Sequence, residues 1–306
     1  MRAGACHFTI TALSAFIFLF ASASAADSDK LAKARAEAEV YAQRSLEARK
    51  KPPRKLSASE QKADQMMDQA NGIISASENP TQIMPAVRLY QEAVKVAPGY
   101  DKAWWGLAMA LWGKAMLMPK ESKQEKQAVF AVLAQAEDAC NQALKIDPNS
   151  PGGNYWLSNI MLTESSLKNI VQQAVILPEI LRLNDKVAAV DPYFENGAIF
   201  RTFAIVLITV PDWLCKSIGY EPEIVIPYLD KAIELEPKYF ANYVYRALVY
   251  HKLNDRQSNE KALKDLEYVL AHDPEALKGY GRENRDQQRD ARAFWTEITG
   301  KEYPAR

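Results

Sequence analysis

The chain has 306 residues, 48% of them hydrophobic, and its 38 basic and 38 acidic residues balance to a formal charge of zero. This balance gives no electrostatic support to nucleic-acid binding, which needs an excess of Lys and Arg. Beyond the first 25 residues the sequence contains two histidines, His251 and His272, and it has no glycine-rich phosphate loop and no helical pair of metal ligands. The composition favours a binding or structural protein over an enzyme, and it predicts neither a cofactor nor a metal site.

The first 25 residues have the features of a secretory signal. Arg2 provides a basic start, residues 8–20 are apolar, and Ala23, Ser24 and Ala25 form a small-residue cleavage site. An uncleaved membrane anchor is the less favoured alternative, because an apolar stretch of about 13 residues is shorter than the roughly 20 that span a bilayer. We therefore expect an exported, periplasmic protein without a transmembrane segment in the mature chain.

Residues 26–56 are predicted to form a charged helix and a linker. They are rich in Ala, Lys, Arg and Glu and contain few large apolar side chains, which is typical of a solvated helix that projects from the core. The run RKKPPRK at 49–55 ends that helix, and we interpret it as a linker in preference to a site for an anionic surface. Ser57, with Glu60 three residues later, then forms a capping box before an amphipathic helix at 61–76. A repeat domain is predicted from 57 to 306.

Five prolines follow helix-like segments that end in similar phrases, such as "EAVKVAPGY" and "KAIELEPKY": Pro98, Pro148, Pro192, Pro237 and Pro274. Proline stops a helix, so this recurrence indicates an array of helix pairs. The first copy resembles a tetratricopeptide repeat in the spacing of its large and small residues, Ala86, Tyr90, Ala93 and Pro98, followed by Trp104, Leu107, Ala108 and Leu111. The sequence predicts an all-α, tetratricopeptide-like array of antiparallel helix pairs, an α-solenoid.

The repeat lengths are irregular. Successive prolines lie 37 to 50 residues apart, instead of the regular spacing of about 34, so the extra residues enter loops and longer helices. Helices are predicted at 100–118 and 124–146, followed by a Gly152-Gly153 turn and a helical segment from Asn154 that kinks or restarts at Pro178. A helix at 195–210 and a long loop at 210–223 come next, and then a helix that ends at Leu235 and has Pro227 near its start. A helix pair at 239–253 and 259–272 and a capping helix at 282–299 complete the prediction.

Cys140 and Cys215 are the two cysteines that follow the predicted signal, and an exported chain could join them in one disulfide. Cys140 occupies the position in its helix that Tyr90 has in the first copy. A buried, small apolar side chain explains such a residue, so we favour packing over pairing and leave the pairing open.

A stripe of aromatic and apolar residues is predicted on the inner face of the array. In the first helix of each pair, residues at i, i+3, i+7 and i+10 lie opposite the packing residues, which selects Lys102, Trp105, Met109 and Trp112, and in later units Tyr155, Asn159, Phe203 and His251. Such a face predicts a groove for an apolar or aromatic small molecule. The competing interpretation, to which we give more weight, is that another helix or a second subunit covers the stripe and makes it ordinary core.

Residues 196–295 carry a more specific pattern. They contain "VPDW", "EIVIPYLDKAIELEPKYFANYVYRALVYHKLND" and "ENRDQQRDARAFW". This portion is similar to the T component of TRAP (tripartite ATP-independent periplasmic) transporters. The resemblance implies a periplasmic helical-repeat protein that works beside a solute-binding protein, holds a hydrophobic organic ligand and assembles as a ring of three. The resemblance does not identify individual binding residues. It does not extend to the charged segment at 26–56, and the N-terminal cysteine that carries a lipid in some family members has no counterpart here.

The sequence therefore predicts a non-enzymatic periplasmic adaptor that docks on a solute-binding protein and holds an apolar ligand. The alternative is a general tetratricopeptide scaffold for protein–protein contacts in envelope assembly, in which the groove would hold an extended peptide or a helix of a partner.

Overall fold

The computed structural model describes residues 26–50, 52, 54–168, 170–217 and 221–304. Within these ranges the chain is all-helical and contains no strand, so the prediction of an all-α protein is confirmed. None of the helices in these ranges combines the length and the hydropathy that a bilayer-spanning segment requires. The predicted secretory signal, residues 1–25, lies outside the described residues.

The helices follow one another through short connections. In chain order they are α1 (Ala26–Lys50), α2 (Ala58–Ala76), α3 (Met84–Val96), α4 (Asp101–Leu117), α5 (Lys123–Ile146), α6 (Pro151–Ser166), α7 (Ile170–Val190), α8 (Phe194–Thr209), α9 (Asp212–Ser217), α10 (Pro222–Leu235), α11 (Phe240–Lys252), α12 (Arg256–Ala271) and α13 (Gly281–Thr299). A short 3-10 helix, Pro274–Ala276, precedes α13. The most extensive contacts join α2 to α3, α4 to α5, α6 to α7 and α11 to α12.

The same turn ends four of these helices, at Pro98, Pro148, Pro192 and Pro237. In each turn the residue before the proline donates its N–H to the carbonyl four residues earlier, and the residue two positions after the proline donates back to the residue that precedes it. At Pro98 these bonds measure 2.9 and 3.0 Å. Proline has no N–H to continue the helix, and its fixed φ suits the second position of a turn. The prediction that these prolines end helices is confirmed.

The capping box at the start of the repeat region is also confirmed. The Ser57 N–H donates to Glu60 Oε2 at 2.8 Å, and the Glu60 N–H donates to Ser57 Oγ at 3.3 Å. The hydrogen bond from Arg54 is the largest of the effects that lower the pKa of Glu60 to about 2, followed by those from Ser57. The carboxylate that caps α2 is therefore ionised at neutral pH.

The hydrophobic core consists of three clusters that follow one another along the array. The first joins α2 to α6, the second joins α1 with α7, α8, α9 and α10, and the third joins the end of α10 with α11, α12 and α13. Ala108 and Ala247 are both fully buried. Cys140 lies in the first cluster and Cys215 in the second, and both are free, buried thiols.

Helix α1 packs against α10, which corrects the expectation of a solvated, projecting helix. It buries Ala34, Ala38 and Ala42, which are spaced four residues apart. The ring of Tyr41 lies against that of Tyr228, with 6.0 Å between their centroids. Alanines at this spacing share one face of a helix and let it approach its neighbour closely. The helix therefore joins the core without the large apolar side chains on which the expectation was based.

Glycine and proline positions differ from the sequence-based expectations at Gly152, Gly153 and Pro227, and at Pro178 the helix does not restart. Gly152 and Gly153 belong to the first turn of α6, which begins at Pro151, and do not form a separate turn. Helix α7 continues through Pro178. Helix α10 begins at Pro222, so Pro227 lies inside it and beyond its first turn. Proline at a first helical position loses no hydrogen bond, whereas an interior proline leaves one carbonyl without its helical donor.

The packing of α1 predicts a large difference between two alanines of the same helix. Ala38 is fully buried and Ala36 is exposed. We expect Ala38→Asp to lower the free energy of unfolding by about 3 kcal/mol, because it places an unpaired charge in the contact with α10. Ala36→Asp exchanges the same two residue types in the same helix, so it has a similar cost in helix propensity. We expect it to change the free energy of unfolding by less than about 1 kcal/mol. Urea unfolding followed by circular dichroism measures both, and equal effects would mean that α1 does not pack.

Candidate functional site

A cavity of about 980 Å³ lies inside the array. Its walls come from α2, α4, α6, α8, α11 and the start of α13. With few exceptions these are the first helices of successive pairs, so the second helices mainly pack outside them. The volume lies at the upper end of the range, about 300 to 1,000 Å³, that small-molecule sites occupy.

Six of the eight predicted groove residues line this cavity: Lys102, Trp105, Met109, Trp112, Tyr155 and Asn159. Phe203 and His251 do not. The Phe203 ring packs in the second core cluster, 6.1 Å from that of Phe200. His251 Nδ1 lies 2.7 Å from Asn259 Oδ1, and its ring meets Phe294 edge-on at 5.4 Å.

The helices α8 and α11 present other residues to the cavity than the regular repeat spacing selects. In α8 these include Ala198, Arg201 and Ile205, and in α11 they are Ala241 and Tyr245. One feature of the sequence could have indicated that Arg201 has a special role: it is a charged residue in the mainly apolar segment 198–209. A lone charge in a buried helix requires partners, which marks such a position for attention.

The aromatic residues form a continuous wall of ring contacts. Trp105 meets Phe194 at 5.9 Å, Phe194 meets Tyr155 at 5.7 Å, Tyr155 meets Trp156 at 5.1 Å, and Trp156 meets Trp112 at 5.4 Å between centroids. These distances suit the edge-on and tilted arrangements that aromatic pairs prefer. The wall connects α4, α6 and α8 and gives one side of the cavity an apolar surface.

The stripe on α4 is partly packed and partly open to the cavity. Trp105, Met109 and Trp112 are half-buried. The Trp112 Nε1–H donates to Thr163 Oγ1 at 2.8 Å, which fixes the indole against α6. The two interpretations of the stripe, open groove and covered core, each describe part of it, because α6 covers its rings while their remaining surface lines the cavity.

The position of Trp105 depends on a glycine. A Cβ atom at Gly152 would collide with the indole of Trp105, so α6 and α4 reach their observed separation because residue 152 has no side chain. The glycines that the sequence assigned to turn chemistry serve close packing at this place.

The other end of the cavity contains an unusual backbone segment at the start of α8. Glu195, Asn196 and Gly197 have φ values of 48°, 57° and 84°. Left-handed backbone is uncommon for residues other than glycine and requires support from its surroundings. Arg201 Nη1 donates to Asn196 O and Nη2 donates to Glu195 O, both at 2.8 Å, and Asn242 Nδ2 donates to Asn196 O at 3.0 Å. Arg201 and Asn242 thus hold the left-handed segment.

The guanidinium of Arg201 is surrounded by aromatic rings. Its Cζ lies 4.7 Å from the centroid of the Tyr239 ring, a distance at which the cation is attracted by the ring face. Burial acts to lower the pKa of Arg201, but Tyr239, Tyr155, Glu283 and Tyr245 together raise it more, and the net direction is upward. The residue is therefore charged at every physiological pH.

Two carboxyl groups lie at the same end of the cavity. Glu195 accepts a hydrogen bond from the Tyr280 hydroxyl at 3.2 Å, and Glu283 accepts one from the Tyr239 hydroxyl. Burial is the largest of the effects that raise the pKa of Glu195. These bonds link α8 and α11 to the start of α13, so hydrogen bonds hold this polar part of the cavity, whereas ring contacts hold the aromatic wall.

The first and last helices of the repeat region meet at the cavity. Arg282 Nη1, on α13, donates to the carbonyls of Ile74 and Ser75 near the end of α2, at 2.9 and 3.0 Å. The last carbonyls of a helix have no partner within it and attract cations. This contact joins two of the helices that line the cavity.

The described residues contain no group of three or more His, Cys, Asp or Glu side chains that could hold a metal ion. Comparisons of the chain with protein-family models and with curated proteins found no match. The function is therefore argued from the cavity and from the resemblance in residues 196–295.

The contact at Gly152 predicts that one added methyl group alters the aromatic wall. We expect Gly152→Ala to displace the Trp105 indole, to lower the free energy of unfolding by about 1 to 3 kcal/mol through overpacking, and to weaken binding of an apolar probe such as N-phenyl-1-naphthylamine. Gly72→Ala is the matched control, because a Cβ there meets no atom within 4 Å. Denaturant titration and probe fluorescence measure both effects, and identical behaviour of the two variants would contradict the assigned contact.

The contact between α13 and α2 predicts a role in holding the cavity closed. Arg282→Ala removes both bonds to the end of α2, and we expect faster amide hydrogen exchange at 70–76 and faster release of a bound probe in stopped-flow fluorescence. Arg289→Ala serves as the control, because Arg289 is an exposed residue of the same helix and pairs with Asp286. No difference between the two variants would show that the contact does not restrain the cavity.

Proposed function

We propose that the protein is a non-enzymatic periplasmic adaptor that holds an apolar small molecule in its central cavity, as an accessory of a TRAP-type transport system. The observation that carries the proposal is the aromatic wall, together with the stripe of Trp105, Met109 and Trp112, inside a cavity of about 980 Å³. Large rings that keep part of their surface toward a cavity suit a ligand with apolar surface of its own.

The physical basis is the poor hydration of such a surface. Water beside Trp105, Met109 and the neighbouring rings finds few hydrogen-bonding partners, and an apolar ligand that displaces it removes that surface from water. The gain is roughly 25 cal/mol for each Å² of apolar surface buried. Glycine at 152 and the hydrogen bond from Trp112 to Thr163 hold the rings in place, so that little order has to be created when the ligand binds.

Two features support a tetratricopeptide-like arrangement of the helices. Four proline turns share one hydrogen-bond pattern, and fully buried alanines occupy equivalent crossings at Ala108 and Ala247. In this proposal the array is irregular because the lengths of its units differ, and the contact of Arg282 with α2 closes it around the cavity.

The docking part of the proposal rests on the resemblance of residues 196–295 to the T component. One exposed side chain is consistent with it. Trp213, in the "VPDW" segment, is 68% exposed, and a large apolar side chain in water favours contact with another protein. A periplasmic solute-binding protein is the proposed partner, and self-association as a trimer is the proposed assembly.

The proposal predicts a co-purifying ligand that depends on the aromatic stripe. We expect native mass spectrometry of the mature protein, before and after mild denaturation, to release an apolar molecule. The double variant Trp105→Ala, Trp112→Ala is expected to lose this molecule, because it removes two rings from the cavity wall, while the helix content measured by circular dichroism stays near that of the unmodified protein.

Trp213→Ala provides the control, since it removes the same type of side chain from an exposed position outside the cavity. Retention of the ligand by the Trp105, Trp112 variant would contradict the assignment of the site. Absence of any ligand from the unmodified protein, combined with capture of a peptide or helix by the cavity, would instead support a protein–protein scaffold.

A further inference from the structure

The charge of Arg201 is buried without a close carboxylate partner. Arg201 is 8% exposed, and each hydrogen bond that its guanidinium makes with the described residues goes to a neutral oxygen: Asn196 O, Glu195 O or Asn242 Oδ1, each at 2.8 Å. The arginine lines the cavity. Glu195 and Glu283 act on the guanidinium electrostatically without bonding to it, so its remaining N–H groups can bind an anion that enters the cavity.

The unused donors of Arg201 have the geometry that a carboxylate needs. A guanidinium has five N–H groups. The three bonds occupy two donors of Nη1 and one of Nη2, which leaves Nε–H and the second N–H of Nη2 without a partner among the described residues. The same pair of nitrogens binds a carboxylate elsewhere in this protein, where Arg246 donates to Asp265 at 2.9 Å from Nε and at 2.6 Å from Nη2. Two such parallel bonds are among the stronger polar contacts in proteins.

Two tyrosines add hydroxyl donors beside the guanidinium. Tyr155 and Tyr245 line the cavity and lie within electrostatic range of Arg201. Burial is the largest of the effects that raise the pKa of Tyr155 to about 12, and burial likewise raises that of Tyr245, so both hydroxyls keep their protons at neutral pH. Protonated phenols donate to an oxyanion, as the free N–H groups of Arg201 do.

We propose that the ligand is an amphipathic monocarboxylate, whose carboxylate binds Arg201 and the hydroxyls of Tyr155 and Tyr245 and whose apolar chain lies along Trp105 and Trp112. This inference rests on the proposed function and names its ligand class. The ring of Tyr155 belongs to the aromatic wall, so it joins the polar end to the apolar side.

The acids at the polar end limit the charge of the ligand. Glu195 and Glu283 line the same cavity, each bonded to a tyrosine hydroxyl. Both acids repel negative charge in the cavity, and this repulsion grows with the number of charges on the headgroup. A headgroup with one negative charge is therefore favoured over a dicarboxylate or a phosphate dianion.

The test compares probes of equal chain length and different headgroup. Isothermal titration of the mature protein, stripped of co-purified ligand, with dodecanoate, dodecan-1-ol and dodecylamine is expected to show dodecanoate binding at least about tenfold more tightly than the alcohol, and the amine more weakly than both. Tyr245→Phe is expected to weaken dodecanoate binding by about tenfold and to leave dodecanol binding unchanged. Tyr250→Phe, on the same helix and outside the cavity, is the control.

Arg201 also holds the left-handed segment of α8, so a variant at this position tests the fold as well as the ligand. The helix content of Arg201→Gln is therefore measured before the variant is titrated with ligand. If this variant does not fold, the comparison of headgroups and the Tyr245→Phe variant decide the result. Equal binding of dodecanoate and dodecanol would overturn the carboxylate proposal and leave the apolar-ligand function in place. Failure of all three probes to bind would contradict both.

Discussion

The structure depends on a hydrogen-bonded turn that is repeated at four prolines. Each proline lacks the N–H that would extend its helix, and the residue two positions later donates back across it. The chain then re-enters a helix after a fixed, short connection. Helices α4, α6, α8 and α11 begin directly after these turns, and all four line the cavity. Helix α2 and the start of α13 also contribute to its lining.

Within that space, two kinds of surface have to coexist. The aromatic wall removes apolar area from water, while Arg201 requires polar partners for a charge that it cannot lose. The left-handed segment at 195–197 reconciles these demands, since it turns backbone carbonyls toward the guanidinium. This strain is local and is held by Asn242 from a neighbouring helix. The arrangement places a permanent positive charge, with Glu195 and Glu283 within its electrostatic range, in the same cavity as the aromatic wall.

Much of the architecture could be predicted from the sequence, because proline, capping residues and buried alanines act over a few residues. The helix ends at Pro98, Pro148 and Pro237 and the capping box at Ser57 follow from such local chemistry. The packing of α1 against α10 could not be predicted in this way. A face of alanines indicates a helix contact when a partner such as α10 is known to lie opposite it. Alanine is common on solvated helices as well.

The candidate site was predicted in its aromatic half and missed in its polar half. Trp105 and Trp112 face the cavity because the unit that contains them keeps the regular helical phase. The left-handed residues at the start of α8 interrupt the regular helical backbone, and beyond them Arg201 lines the cavity while Phe203 packs in the core. A backbone conformation of this kind depends on partners more than 40 positions away, such as Asn242, and periodicity along the sequence carries no information about it.

The bond between Arg282 and the end of α2 has a consequence for how the molecule assembles. It joins residues 207 and 208 positions apart, whereas the main helix pairs join neighbours in sequence. Closing so long a segment has an entropic cost that nearby contacts avoid. The contact of α1 with α10 joins residues 191 positions apart and has a similar cost. Both junctions are therefore expected to form late in folding, after neighbouring helices have paired.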